Sequence, residues 1–406
     1  EDGEMAVITR AGVQYLDLDG GAVQKQLRTV GLEELLVDKG GYRHFMLKEI
    51  MEQPQAMTSV LRERVDFEAG RVEIPDFPLS HDDVQQLRRV VLLGCGTSLY
   101  AAQVGCYLIE QFAGLPAQAE SASEFRYRPP GRIYMDRQTL VVAISQSGET
   151  ADTVAAMEEA RHQGGRLLTI CNVKGSQATR LAEGSLYMES GIEIGVASTK
   201  TFVASLTILN LLAVYLGQEK GFLSGRRVRQ LVDELAQVPR LIGEILGQAG
   251  IYPQLARRFS SYDHFLFLGR GINAPIALEG ALKLKELSYL HAEGYPAGEM
   301  KHGTIALIDQ GMPTLALAPR DGLYEKMVNN IKEIKARDGV VLAVLTEGDR
   351  EFASQVDEVL YIPPAPDHLI PLLAVIPMQL LAYHIAVHRG CNIDQPRNLA
   401  KSVTVE

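Results

Sequence analysis

The chain has 406 residues, 46% of them hydrophobic, enough for two or three domains with sizeable cores. Its formal charge is −10 and no basic run exceeds the Arg226-Arg227 pair and its neighbour Arg229, which argues against nucleic acid as a main partner. Cys95, Cys106, Cys171 and Cys391 lack both CxxC pairing and Cys/His ligand spacing, so no metal is expected and the setting reads as a reducing cytoplasm.

Helical spacing begins at Leu47, Ile50 and Met51. Val91-Leu92-Leu93-Gly94-Cys95-Gly96 then reads as a buried strand entering a Gly-x-Gly turn, continued by Thr97-Ser98. A dinucleotide fingerprint would need a third glycine where Leu99 stands, and an acidic ribose ligand further on. Neither is present.

Next, Leu140-Val141-Val142-Ala143-Ile144 runs into Ser145-Gln146-Ser147-Gly148-Glu149-Thr150 and a helical stretch over residues 151–164. Such a turn suits a phosphate dianion, because N–H groups at a helix start are unpaired and the dipole is positive there. The dipole gives only about 0.3–1 kcal/mol, so hydroxyls must add donors. The turn holds no lysine or arginine and lacks the Gly-Lys-Ser/Thr ending, which disfavours a nucleotide triphosphate. An ordinary turn capped by serine carries the same signature. Gly195-Val196-Ala197-Ser198-Thr199-Lys200 is a further turn into an apolar helix, with Ser198 or Thr199 as its cap and Gly217 as its end.

Amphipathic positions Val228, Leu231, Val232 and Leu235 lead to a second copy of the pattern. Leu266-Phe267-Leu268-Gly269-Arg270-Gly271 repeats the first strand and turn, with Gly269 lying 175 positions after Gly94. Ala297-Gly298-Glu299 repeats Ala122-Ser123-Glu124 at the same shift, while Gly322 and Gly339 match Gly148 and Gly165. Strands alternating with helices imply parallel sheets with helices on both faces. The hydroxyl turn, however, becomes Ala318-Pro319-Arg320-Asp321-Gly322-Leu323 in the second copy, so one phosphate site per chain is expected, in the first.

Pro275 opens a helix over residues 276–290, where Glu279, Lys283 and Glu286 share one face beside Lys285. A solvated salt-bridging face explains that stripe as well as an acid–base site does. His302 lies in the polar run Gly298-Glu299-Met300-Lys301-His302-Gly303, and the apolar stretch 370–387, broken by Pro371, Pro377, Gln379 and His384, reads as a core helix rather than a membrane span. The tail 394–406 alternates apolar positions around one lysine, Lys401, unlike a frayed terminus.

These motifs bring a family into view. Gly94-Cys95-Gly96-Thr97-Ser98, Ser123-Glu124-Phe125-Arg126-Tyr127, SQSGETADT from Ser145, EIGVASTK from Glu193, ALEGALKLKE from Ala277, EMKHG from Glu299 and DQPRNLAKSVTVE from Asp394 together resemble the isomerase portion of the glutamine–fructose-6-phosphate aminotransferases. The resemblance implies an α/β protein with two tandem SIS domains, each a flavodoxin-like parallel sheet with helices on both faces. It implies a layout of glutaminase-domain remnant (1–37), linker and first helices (38–80), first SIS domain (81–225), second SIS domain (226–390) and catalytic tail (391–406).

By the same resemblance, Cys95, Gly96, Thr97, Ser98, Ser145, Gln146, Ser147 and Thr150 hold a sugar phosphate, supported by Val196 and Ser198. Lys401 forms a Schiff base with fructose 6-phosphate, Glu286 shuttles the C1/C2 proton, Lys283 assists, and His302 opens the ring from a neighbouring subunit of a homodimer. The product is glucosamine 6-phosphate, and no cofactor, membrane or nucleic acid is implied. The family's glutaminase nucleophile is an N-terminal cysteine, whereas this chain begins Glu1-Asp2-Gly3-Glu4, so it is not expected to draw ammonia from glutamine. Thr304 stands where the family has proline, and an insertion is expected near residues 129–136. A stand-alone phosphosugar isomerase and a non-catalytic sugar-phosphate sensor are the other readings; the sensor would need a helix-turn-helix and a basic face that the sequence lacks.

Overall fold

The repeat read from glycine spacing becomes two five-stranded sheets of the same topology. The structure is a computed structural model that describes residues 3–25, 38–75, 77–128 and 135–405. The chain divides into two units, Glu1–Asp38 and Lys39–Glu406. In the first, β1 (Glu4–Thr9), β2 (Gly12–Asp17) and β3 (Ala22–Val23) form an antiparallel meander. Most of the expected insertion at 129–136, and residues 26–37 of the expected remnant, lie outside the described residues.

The second unit opens with α1 (Phe45–Met51), α2 (Gln53–Arg62), the short hairpin β4 (Val65–Asp66) and β5 (Arg71–Val72), and α3 (His81–Gln86). The first repeat follows: β6 (Arg89–Gly94), α4 (Thr97–Ala113), β7 (Ala117–Ser121), α5 (Ala122–Phe125), β8 (Thr139–Ser145), α6 (Ala151–His162), β9 (Arg166–Cys171), α7 (Gln177–Leu181), β10 (Gly184–Tyr187) and α8 (Lys200–Glu219). Helices α9 (Gly225–Ala236), α10 (Val238–Gly247) and α11 (Tyr252–Phe259) connect it to the second: β11 (His264–Gly269), α12 (Ala274–Ser288), β12 (His291–Pro296), β13 (Thr314–Ala318), α13 (Tyr324–Lys335), β14 (Val341–Thr346), α14 (Arg350–Ala353), β15 (Glu358–Ile362) and α15 (Ile370–His388).

The strand orders are β7-β6-β8-β9-β10 and β12-β11-β13-β14-β15, all parallel. Both are the 2-1-3-4-5 order of a flavodoxin-like sheet. Alternate residues face opposite sides: Leu140, Val142 and Ile144 of β8 point into one core, while Val141 and Ala143 pack with Ala156, Met157 and Ala160 of α6. In the second sheet Phe265, Phe267, Leu315 and Leu317 join that same first core, whereas Leu266, Leu268, Ala316 and Ala318 pack with Ile331 and Ile334 of α13. The inner faces of the two sheets therefore share one apolar core, filled by α4, α8, α12 and α15.

One expectation is corrected and one alternative reading is removed. Gly217 does not end α8, which runs on to Glu219. It serves close packing instead, since a Cβ there would lie 1.9 Å from the Phe112 carbonyl oxygen of α4. The stripe on α12 is not a solvated face either: Glu279 and Lys283 are buried, while Lys285 is exposed on another side. Helices α8 and α15 are long and apolar enough to cross a membrane, but 89% of each apolar window is buried inside the protein. They are core helices.

Candidate active site

The first sheet reverses its winding between β6 and β8, and ligands of open α/β sheets bind at that switch point, beyond the strands' carboxyl ends. A cavity of about 130 Å³ lies there, between the starts of α4 and α6. Cys95, Thr97, Ser98, Ser145, Gln146, Ser147, Thr150, Ser198 and Lys401 line it, together with Ile144 and Thr153. Gly96 shapes its wall rather than lining it: with φ of +52°, it lets the chain turn directly from β6 into α4. Val196 supports the tail, donating its N–H to the Asp394 carbonyl at 3.0 Å.

Two of the hydroxyls are engaged by the backbone, and Ser145 Oγ also lies 3.1 Å from Thr150 Oγ1, so one of that pair donates to the other. Ser145 Oγ accepts the Gly148 N–H at 3.1 Å, and Ser147 Oγ accepts the Glu149 N–H at 3.1 Å. A hydroxyl whose lone pair is occupied by the backbone still has its O–H to give to an anion. No serine caps α6; its N-cap position is Thr150, whose side chain makes no capping bond. The Ala151 N–H is instead taken by the Val403 carbonyl of the tail at 3.0 Å. Burial pushes the Cys95 thiol up, which keeps it neutral.

Lys401 is partly exposed at the cavity, and its Nζ donates to Glu193 Oε2 at 2.5 Å and to the Gly195 carbonyl at 2.8 Å. Glu193 was not singled out by the sequence. Burial pushes its carboxyl up, but Lys401 and hydrogen bonds from Thr199 and Thr201 hold it below the usual glutamate value. Those two backbone N–H groups, at 3.0 and 3.1 Å, belong to the start of α8, so Glu193 performs the capping expected of Ser198 or Thr199. Glu49 on α1 pins the same loop, its Oε1 accepting the N–H groups of Ile194 (2.5 Å) and Gly195 (3.1 Å). Asp394 anchors the tail by accepting the Phe45 and Met46 N–H groups at the start of α1, at 3.1 and 3.0 Å.

The acid–base stripe of the second repeat touches this cavity through Thr97. Thr97 Oγ1 accepts from Lys283 Nζ at 3.1 Å and lies 3.3 Å from Glu279 Oε1. Lys283 sits between Glu279 (3.3 Å) and Glu286 (2.8 Å). Burial pushes Lys283 down, yet the two carboxylates hold it above the usual lysine value. Burial pushes Glu279 up to about 7, with Lys283 pulling the other way. His302 is not brought to the cavity of its own chain; it is exposed in the 3-10 segment Ala297–His302.

The SIS domain model matches residues 84–215 and 258–389, one copy on each sheet. A solved structure of the C-terminal domain of glucosamine-fructose-6-phosphate aminotransferase from Francisella tularensis superposes with a TM-score of 0.83 at 36% identity, covering 89% of this chain and all of that one. The chain belongs to the SIS-domain family, in its glutamine–fructose-6-phosphate aminotransferase branch. Glutamine–fructose-6-phosphate aminotransferases from Chlorobaculum tepidum and Methanosarcina acetivorans are each 47% identical to this chain over 405 residues, covering all of it. The chain spans 65% of the length of either relative. A glucosamine-6-phosphate deaminase from Thermotoga maritima shares the fold, with a TM-score of 0.68 at 23% identity, covering 89% of this chain and 99% of its own.

Proposed function

We propose that this chain performs the sugar-phosphate half of the glutamine–fructose-6-phosphate aminotransferase reaction, converting fructose 6-phosphate and ammonia to glucosamine 6-phosphate. The observation that carries the reading is a primary amine, Lys401, beside a hydroxyl-lined cavity at two helix N-termini. Thr97, Ser98, Ser145, Gln146, Ser147 and Thr150 hold the phosphate and sugar hydroxyls, with Ser198 beside them and Val196 steadying the tail.

Lys401 condenses with the C2 ketone, and the resulting imine acidifies the protons at C1. Glu286 then moves a proton between C1 and C2. Lys283, cationic between two carboxylates, reaches Thr97 and stabilises negative charge developing on the substrate oxygen. His302, exposed on its own chain, opens the sugar ring in the cavity of a second copy, which makes the working unit a homodimer. Ammonia comes from glutamine, after which the relatives are named, by way of a glutaminase domain. Four free cysteines fit the reducing cytoplasm as the place of action. A stand-alone isomerase has less support, since the relatives titled phosphosugar isomerase are 19–24% identical and share the fold alone.

The test is borohydride reduction in the presence of fructose 6-phosphate, followed by peptide mapping. One sugar should be fixed to Lys401, and Lys401→Arg should lose both adduct and turnover, because a guanidinium stays protonated and cannot attack a carbonyl. An adduct on Lys283 or Lys285, or full activity in Lys401→Arg, would overturn the assignment.

A further inference from the structure

The surroundings of Lys401 contain a group to which the reaction as described gives no task. Glu193 is fully buried, and its Oε2 meets Lys401 Nζ at 2.5 Å. Its other contacts do not depend on that lysine: Oε1 accepts from Thr199 N and Thr201 N, and Oε2 accepts from Thr201 Oγ1 at 2.7 Å. Three donors at the start of a helix favour the ionised carboxylate at rest and hold it in place while the amine reacts. Among the described residues, Glu49 faces the Glu193–Lys401 pair from α1, and Lys200, at the start of α8, is engaged by Glu52 at 2.8 Å.

We propose that Glu193 is a catalytic counter-ion of Lys401, holding it as an ammonium at rest and then stabilising the protonated imine it forms with the ketose. This rests on the imine reading above. The proton balance favours such a role. The ammonium passes one proton to Glu193 Oε2, and the freed nitrogen pair attacks the carbonyl carbon as the C=O π pair moves to oxygen. That oxygen leaves as water, taking the passed proton and a second one from nitrogen. Ammonium and ketone thus become iminium and water, with the positive charge on the same nitrogen before and after. A carboxylate fixed beside that nitrogen stabilises both ends of the step, and in a buried setting its absence is felt strongly.

Glu193→Gln tests this, because the amide keeps the shape and can still accept from Thr199 and Thr201. The first measurement needs no sugar: the rate of Lys401 acetylation by acetic anhydride across pH, read by peptide mapping. The midpoint should fall by at least one pH unit in E193Q, and turnover of fructose 6-phosphate and ammonia to glucosamine 6-phosphate should fall at least tenfold. An unchanged acetylation midpoint overturns the proposal, whether or not turnover drops, since a merely structural glutamate would lower activity without moving the titration. Should E193Q fail to fold, Glu193→Asp decides: it keeps the charge but withdraws it from Lys401 Nζ, so the yield of borohydride adduct on Lys401 should fall at least tenfold, and a wild-type yield overturns the proposal. Absence of a borohydride adduct on wild-type Lys401 would instead defeat the imine reading, so the two failures are separable.

Discussion

The two switch points have the same backbone and opposite contents. Gly96 and Gly271 share a φ of +52°, and each follows the first strand of its sheet. In the first repeat the crevice is lined by hydroxyls and left open. In the second, the protein supplies its own anions. Asp321 accepts from Asn273 Nδ2 at 3.0 Å, and Asp367 accepts the Gly322 N–H at 3.2 Å, next to the start of α13. Buried Asp349 pairs with Arg320 at 3.0 Å and with the Tyr324 hydroxyl. A helix N-terminus attracts negative charge whatever its source. One repeat leaves that attraction to a ligand, while the other satisfies it internally.

If that division is correct, the two turns separate binding from stability. Asp349→Ala removes the partner of Arg320 and Tyr324 and the cap of α14. It should lower unfolding free energy by about 2–4 kcal/mol, Arg320 being exposed enough to recover hydration, and leave fructose 6-phosphate affinity unchanged. Ser147→Ala should do the reverse, weakening affinity by roughly ten- to a hundredfold through loss of one charge-assisted hydrogen bond of about 1.5–3 kcal/mol, at almost constant stability. Urea denaturation and calorimetric titration on both variants check the pair; a large affinity loss in Asp349→Ala would break the comparison.

A finer contrast lies in the paired glycines. Gly148 has φ of +66°, and a Cβ there would lie 2.0 Å from Ser176 Oγ and 2.7 Å from its Cβ. Its counterpart Gly322 is not at positive φ, and a Cβ there would meet only Asp367 Oδ2 at 3.6 Å, ordinary contact. Gly148→Ala should therefore cost about 1–3 kcal/mol and distort the cradle, whereas Gly322→Ala should stay within about 0.5 kcal/mol of wild type. Equal melting temperatures for the two variants would show that the turns are not differently constrained.

What the sequence made legible follows from distance along the chain. Strand, turn and helix are local patterns, so β6, β8, α6 and the hydroxyl cradle could be read directly, and the repeat supplied the two-sheet architecture. The ambiguity at α12 was real, because Glu279, Lys283 and Glu286 fit a solvated face and a buried site equally well; only burial against Thr97 separates them. Glu193, Glu49 and Asp394 were missed for another reason. Their partners lie 208, 146 and 349 positions away, and no spacing rule connects Lys401 to Glu193, Gly195 to Glu49, or Phe45 to Asp394. Glu193 stands six residues before the Thr199 N–H it accepts, beyond the one-turn spacing that marks a cap.

The smallest effect compares two buried carboxyls, one near each repeat's contribution to the site. Burial, then Glu193, pushes Glu49 up to about 7; burial likewise pushes Glu279 up to about 7. A carboxyl raised in the folded state binds more protons folded than unfolded between about 4.5 and 7, so its contribution is complete below that window and is lost as pH rises through it. Among the described residues, each leaves its Oε2 without a hydrogen-bond partner, but the other oxygen differs: Glu279 Oε1 has the Lys283 ammonium at 3.3 Å, whereas Glu49 Oε1 has only backbone N–H groups. Glutamine cannot ionise, so Glu49→Gln should match wild type at pH 5 and exceed it by about 1 kcal/mol at pH 8, after allowance for weaker bonds from Ile194 and Gly195. Glu279→Gln should instead lose stability at pH 8, because it takes one of the two carboxylates that hold buried Lys283. Urea midpoints at the two pH values distinguish the variants. A gain in Glu279→Gln with none in Glu49→Gln would mean that ionisation is less well compensated at Glu279 than at Glu49.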